Sequence, residues 1–264
     1  MLSPVPSFGV SICVLTLVQA LLVGVPRERE IPALARLRSG WWAVIPALSI
    51  VAFVFGVRAL SGAANGLAYL ALIAVPPLAA LALAGAIRGS RPWLAPAAVA
   101  LFALAWADRR GLAGDAAGLA LDALSCVTLA VLIVAVTPRA LLKLGVLAMA
   151  AVDTWLVVSD LLAAPNNALN AAAVAHLPQL QRVVFGSAVM GYGDLFVAAL
   201  LGALLAATPR LALRGVVIAA LVGLAMNLLF LVVDELPATV PIAVTLAILE
   251  IGARRSSRRR AAAV

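Results

Sequence analysis

The sequence predicts an all-α polytopic membrane protein with about nine spanning helices, and three observations predict it. Of 264 residues, 65% are apolar and only 11% charged, with a mean hydropathy of +1.15. A soluble domain is about half apolar and a quarter charged, and a disordered chain is less apolar still. The apolar residues fall into runs near the ~20 residues that a spanning helix needs. These runs lack the strict alternation of a transmembrane β-barrel strand. Finally, the basic residues gather in alternate connectors, as they do on the cytoplasmic side of membrane proteins. The formal net charge of +8 would suggest nucleic acid in a soluble chain. Here it reads as orientation, so the expected partner is the lipid bilayer and not nucleic acid.

The spans follow in order. The first covers about 7–25. No basic segment precedes it, and Arg27, Arg29, Arg36 and Arg38 follow it, which suits a first spanning helix better than a cleaved signal. The second, about 41–60, opens on Trp41 and Trp42, residues suited to the interface. The third covers about 66–87. The fourth, about 92–107, is the shortest; it opens at Trp93 and contains Pro96. The fifth to ninth cover about 115–136, 140–163, 184–207, 211–233 and 237–253. Pro26, Pro77, Pro92, Pro138 and Pro209 lie at or near span ends, where helices stop. The connectors are short except 26–40, which is basic, and 164–183, which is polar and holds the single histidine, His176. No transporter-type repeat is visible.

With the N-terminus outside, the inner segments hold 15 of the 19 basic residues. Without the fourth span, the basic first connector and the basic tail would fall on opposite sides. Nine spans with the N-terminus out and the C-terminus in therefore follow from the charge pattern. The chain reads as a single membrane domain: a five-helix portion over 1–136, helices six to nine over 137–253, and a basic tail over 254–264. The expected location is a bacterial plasma membrane. Cys13 and Cys126 lie inside apolar runs and read as packing residues.

Ionisable groups at bilayer depth are costly and mark candidate functional residues. Most of the eleven acids lie in connectors or at span ends. Glu250 is explained by an i,i+4 pair with Arg254. Asp122, Asp153, Asp160 and Asp194 remain. Asp153 precedes the expected end of the sixth span by ten residues, and Asp194 follows the expected start of the seventh by ten. At 1.5 Å per residue, both lie about 15 Å below the outer edge on consecutive antiparallel helices. Two facing carboxylates cannot both ionise cheaply, so they share a proton. One then serves as base toward a water while the other donates to a carbonyl. The competing reading is a structural polar contact between helices. Asp160, one heptad beyond Asp153, suits the outer interface or a water path. Asp122 and Asn227 suit helix–helix hydrogen bonding. One histidine without nearby Cys or acids makes no metal site, and no Ser-His or Cys-His pair lies within the membrane.

The motifs around these acids sharpen the reading. Met190-Gly191-Tyr192-Gly193-Asp194 places a GxGD inside a span, and Val152-Asp153-Thr154-Trp155 surrounds the other acid. Leu236-Pro237-Ala238-Thr239 opens the ninth span. In this pattern the chain resembles the presenilin and signal peptide peptidase family of intramembrane aspartyl proteases. That family carries an Asp in its sixth span, a GxGD in its seventh and a Pro-Ala-Leu in its ninth. Thr239 stands here in place of the Leu, and Val152 in place of an aromatic residue. The resemblance covers about 140–253 and implies catalytic roles for Asp153 and Asp194. It also implies substrate-binding roles for Gly191, Tyr192, Gly193, Pro237 and Ala238, and a transmembrane peptide or protein as substrate. Orientation favours the signal peptide peptidase branch. No metal or organic cofactor is expected. A substrate unwound from its helix could pair with an enzyme strand. The connector 164–183, with Asn166, Asn167, Asn170, Gln179 and Gln181, is the candidate strand and could equally be a solvated loop.

Two rivals remain. The prepilin-peptidase type, also GxGD, would use Asp160 with Asp194, but it usually carries more spans between its acids and a basic residue where Phe196 stands. A proton-coupled transporter or scaffold could also hold buried acids.

Overall fold

The computed structural model describes residues 6–29, 31–59, 62–172, 177–233 and 235–261. His176 and Asp234 lie outside the described residues. The chain is 75% helical. Each of the nine apolar segments contains a helix among the described residues. In chain order the helices are α1 (Phe8–Leu22), a single turn α2 (Pro32–Ala35), α3 (Ile45–Ala59), α4 (Ala63–Leu81), α5 (Ala97–Ala107), α6 (Leu112–Val136), α7 (Arg139–Val158), α8 (Ala163–Ala171), α9 (Tyr192–Leu205), α10 (Pro209–Asn227) and α11 (Val240–Ala261).

Among the described residues, four stretches are long and apolar enough to cross a membrane: Ala63–Ala86, Leu112–Val136, Arg139–Val158 and Pro209–Leu231. Their outer faces remain apolar. On α10, Leu213, Val217 and Leu221 form an exposed stripe at i, i+4, i+8, and on α7 Leu144, Trp155 and Val158 are exposed. Exposed apolar surface of this extent fits a lipid environment. Trp41 and Trp93 are also exposed, as interfacial residues should be.

Proline behaves as expected at most helix ends. Pro138 caps α7 and Pro209 opens α10, positions where the missing N–H costs nothing. Pro77 differs from expectation. With Pro76 it lies inside α4, which runs on into a π-helical segment, Ala82–Ala86. The Thr128 hydroxyl donates to the Leu78 carbonyl at 2.7 Å, so a neighbouring helix serves the backbone beside the disturbed stretch.

The all-α expectation fails at one place. Residues expected to begin the seventh span form a β-hairpin, β1 (Val183–Phe185) paired antiparallel with β2 (Ala188–Met190). Gly186 opens its two-residue turn at φ +59°, the conformation glycine adopts freely. The hairpin is held by the Gly186 N–H donating to Asp115 Oδ2 at 3.0 Å. The Ser187 N–H donates to Ser11 Oγ at 3.2 Å. The connector 164–183 is likewise not one strand: much of it forms α8, and a strand begins only at Val183.

Helix α9 is the core. Leu195 and every residue from Val197 to Leu205 are buried, packed against α6, α1, α7, α10 and α11. Gly202 lets α1 approach. A Cβ there would lie 2.5 Å from the Leu22 carbonyl oxygen and 2.9 Å from that of Val23. Small residues at such crossings let helix backbones pack closely in a membrane.

Polar contacts collect at two ends of this bundle. At one end the hairpin turn meets Asp115 and the start of α1. At the other, Arg139 pairs with Glu28 at 3.1 Å, Lys143 pairs with Glu250, and Arg88 donates to the Ala206 carbonyl at 3.0 Å. Glu250 thus has a partner on another helix, Lys143 of α7.

Candidate functional site

Asp153 lies in the last turns of α7, near its end at Val158, and Asp194 lies in the first turn of α9. Matched depth was expected from two long helices. Both helices are shorter than expected, so the acids sit near helix ends and not at mid-helix. They still lie on contacting elements, because α7 packs on α9. Both are only partly buried, which leaves access for a reacting group.

Each carboxylate is anchored through one oxygen. Asp194 Oδ2 accepts from the Gly191 N–H at 3.0 Å, and so reaches back to the residue capping its own helix. The negative group is favourable there, because the first turn presents unpaired N–H groups. Gly191 must lack a side chain for this contact: a Cβ would lie 2.9 Å from Asp194 Oδ2. Gly193 has open space around its would-be Cβ. Asp153 Oδ2 accepts from the Thr239 hydroxyl at 2.6 Å and from the Thr239 N–H at 3.4 Å. Thr239, read in the sequence as a departure from a family motif, is the residue that meets the carboxylate. Pro237 and Ala238 lead into it and position the start of α11.

A residue the sequence reading missed ties the segments together. Gln19 on α1 is 2% exposed. Its Nε2 donates to the Asp194 carbonyl at 3.2 Å and to the Ala238 carbonyl at 2.8 Å. The signal was present: Gln19 is an amide inside an apolar run, and a buried amide needs partners as a buried acid does. The hairpin was also legible, since Val183-Val184-Phe185 and Ala188-Val189-Met190 flank a Gly-Ser pair, a two-residue turn signal. It ends one residue before Gly191.

Tyr192 opens α9, and its hydroxyl lies 2.7 Å from Ser125 Oγ on α6. The remaining acids lie elsewhere. Asp160 is exposed and adopts φ +50° just beyond α7. The N–H groups of Asp160 and Leu161 bond back to Val157 and Leu156, so Asp160 terminates the helix in the left-handed conformation that Asp tolerates. Asp122 is 1% exposed, and its Oδ1 has no hydrogen-bond partner, unlike the helix–helix bond expected for it. Asn227 does make the expected contact, donating to Thr16 Oγ1 at 3.0 Å. Cys13 and Cys126 are free thiols. Among the described residues no three His, Cys, Asp or Glu side chains gather as a metal site.

Compared with known proteins, the chain matches no family model, no curated relative and no solved structure.

Proposed function

We propose that this chain is an intramembrane aspartyl protease that hydrolyses peptide bonds of transmembrane helices with Asp153 and Asp194. The observation that carries the reading is the convergence of three distant segments on two carboxylates. Residues 152–154, 191–194 and 237–239 belong to different elements, yet Thr239 holds Asp153, Gly191 holds Asp194, and Gln19 links the Asp194 and Ala238 carbonyls. A merely structural pair of acids needs no such separate anchoring.

The chemistry follows from anchoring each acid through one oxygen, which leaves the second for proton transfer. The ionised carboxylate takes a proton from a water as the water oxygen bonds to the scissile carbonyl carbon. The protonated partner gives its proton to the carbonyl oxygen, and a gem-diol forms. The C–N bond then breaks. The nitrogen takes the proton from the first acid, a gem-diol hydroxyl returns one to the second, and the pair is restored. The hairpin supports the substrate side of this reading. It runs directly into Gly191, so an extended segment laid along it by strand addition leads toward Asp194.

The same proposal includes nine crossings, N-terminus out and C-terminus in. The gathering of 88, 139, 143 and 250 at one end and 115 and 186–187 at the other supports it. The test is to incubate the purified protein in detergent with a labelled single-span peptide in H2(18)O. The expected products are two peptides cut within the apolar stretch, with one heavy oxygen in the new carboxyl end and no effect of EDTA. An intact peptide contradicts the reading, as does cleavage that EDTA abolishes.

A further inference from the structure

A cavity of about 380 Å³ opens between the α5–α6 connector and the segment leading into the hairpin. Arg109, Arg110, Asp115 and Arg182 line it, and Gly118 and Asp122 line it one and two turns further along α6. Asp122 is the buried carboxyl whose Oδ1 lacks a partner. A buried carboxyl without a hydrogen-bond partner is costly unless water satisfies it. A cavity of this size holds about a dozen waters at ~30 Å³ each, and its charged lining keeps it wet.

The floor of this cavity is joined to the catalytic turn. Ser125 Oγ lies 2.8 Å from the Asp122 carbonyl and 2.7 Å from the Tyr192 hydroxyl. Cys126 Sγ lies 3.7 Å from the Tyr192 carbonyl. Tyr192 is two residues before Asp194. One turn of α6 therefore separates the cavity from the turn that holds the acid. Hydrolysis consumes one water per bond cut, in a place the bilayer keeps dry.

We propose that this cavity is a water-filled vestibule that ends on Asp122 and supplies water past the Ser125–Tyr192 contact to the Asp194 turn. The proposal rests on the hydrolytic reading above. Water needs no leaving group or co-reactant here; Asp122 acts as a positioning residue for the water column and does not touch the scissile bond.

The test reads accessibility and turnover separately. In sealed proteoliposomes, Asp122→Cys should react with a charged, membrane-impermeant methanethiosulfonate above the parent chain. It should react only from the side that labels Arg110→Cys. Adding Gly118→Leu, which fills the passage, should slow that labelling. The single variant Gly118→Leu should lower kcat about tenfold with KM unchanged. Gly118→Ala should not, because its Cβ would meet only Leu180 at 3.7 Å. Labelling of Arg110→Cys without labelling of Asp122→Cys overturns the vestibule, and so does an unchanged kcat in folded Gly118→Leu. The labelling needs no substrate, so it survives failure of the protease reading. Failure of the vestibule in turn leaves the inactivity of Asp153→Asn and Asp194→Asn intact.

Discussion

Thr239 shows how a single side chain decides the state of the site. Its hydroxyl and N–H both point at Asp153 Oδ2. A hydrogen bond to a charged group contributes about 1.5–3 kcal/mol. Thr239→Val should therefore lower kcat by about 10- to 100-fold with little change in KM, while Thr239→Ser retains activity; steady-state cleavage of a single-span peptide separates these outcomes. Gly191→Ala acts on the other acid. The added methyl occupies the space of Asp194 Oδ2, so the carboxylate must leave its bond to the Gly191 N–H. Activity should fall while the melting temperature barely moves. Gln19→Leu removes two donors from buried carbonyls and should cost both stability, by about 1–3 kcal/mol, and turnover. The acids and their motifs were legible in the sequence because charge is rare in this chain, at 11% of its residues. Gln19 was passed over because a neutral amide does not disturb a charge count, and the role of Thr239 emerges only when α11 is placed against α7.

At the scale of elements, the apolar runs located a helix in each of nine segments, because hydropathy reports burial from water directly. It does not report helix length where protein, and not lipid, surrounds the segment. Helix α9 is 14 residues long and buried on every side, so its length answers to its neighbours. The hairpin before it was hidden for the same reason: Val, Phe, Ala and Met suit a strand and a spanning helix equally, and only the Gly-Ser turn separates them. The crossing of α1 over α9 rests on Gly202. Gly202→Ala drives a Cβ against backbone carbonyls that cannot turn away, and should destabilise the protein by about 1–3 kcal/mol, read as a lower unfolding temperature in detergent. Gly186→Val should act likewise on the hairpin, since a β-branched residue at φ +59° is strained by about 1–3 kcal/mol.

At the scale of the whole molecule, the basic residues and the acids do different work. The basic connectors and tail carry most of the positive charge, and the proposed topology puts them on the inner side. Cysteines introduced at Arg38 and at Arg255 should then react with an impermeant thiol reagent from one side of the membrane, and one at Arg110 from the other. The acids divide further: Asp160 ends a helix, Asp115 holds the hairpin, and Asp153 and Asp194 stand on the packed helices α7 and α9, held by Thr239 and Gly191.

The proposed pairing of Asp153 with Asp194 is the central claim, and parallel cleavage assays of Asp153→Asn, Asp194→Asn and Asp160→Asn against a single-span peptide test it most directly. The first two should be inactive though folded, and the third should cleave at close to the wild-type rate. Retained cleavage in either of the first two, or loss of cleavage in a folded Asp160→Asn protein, would contradict it.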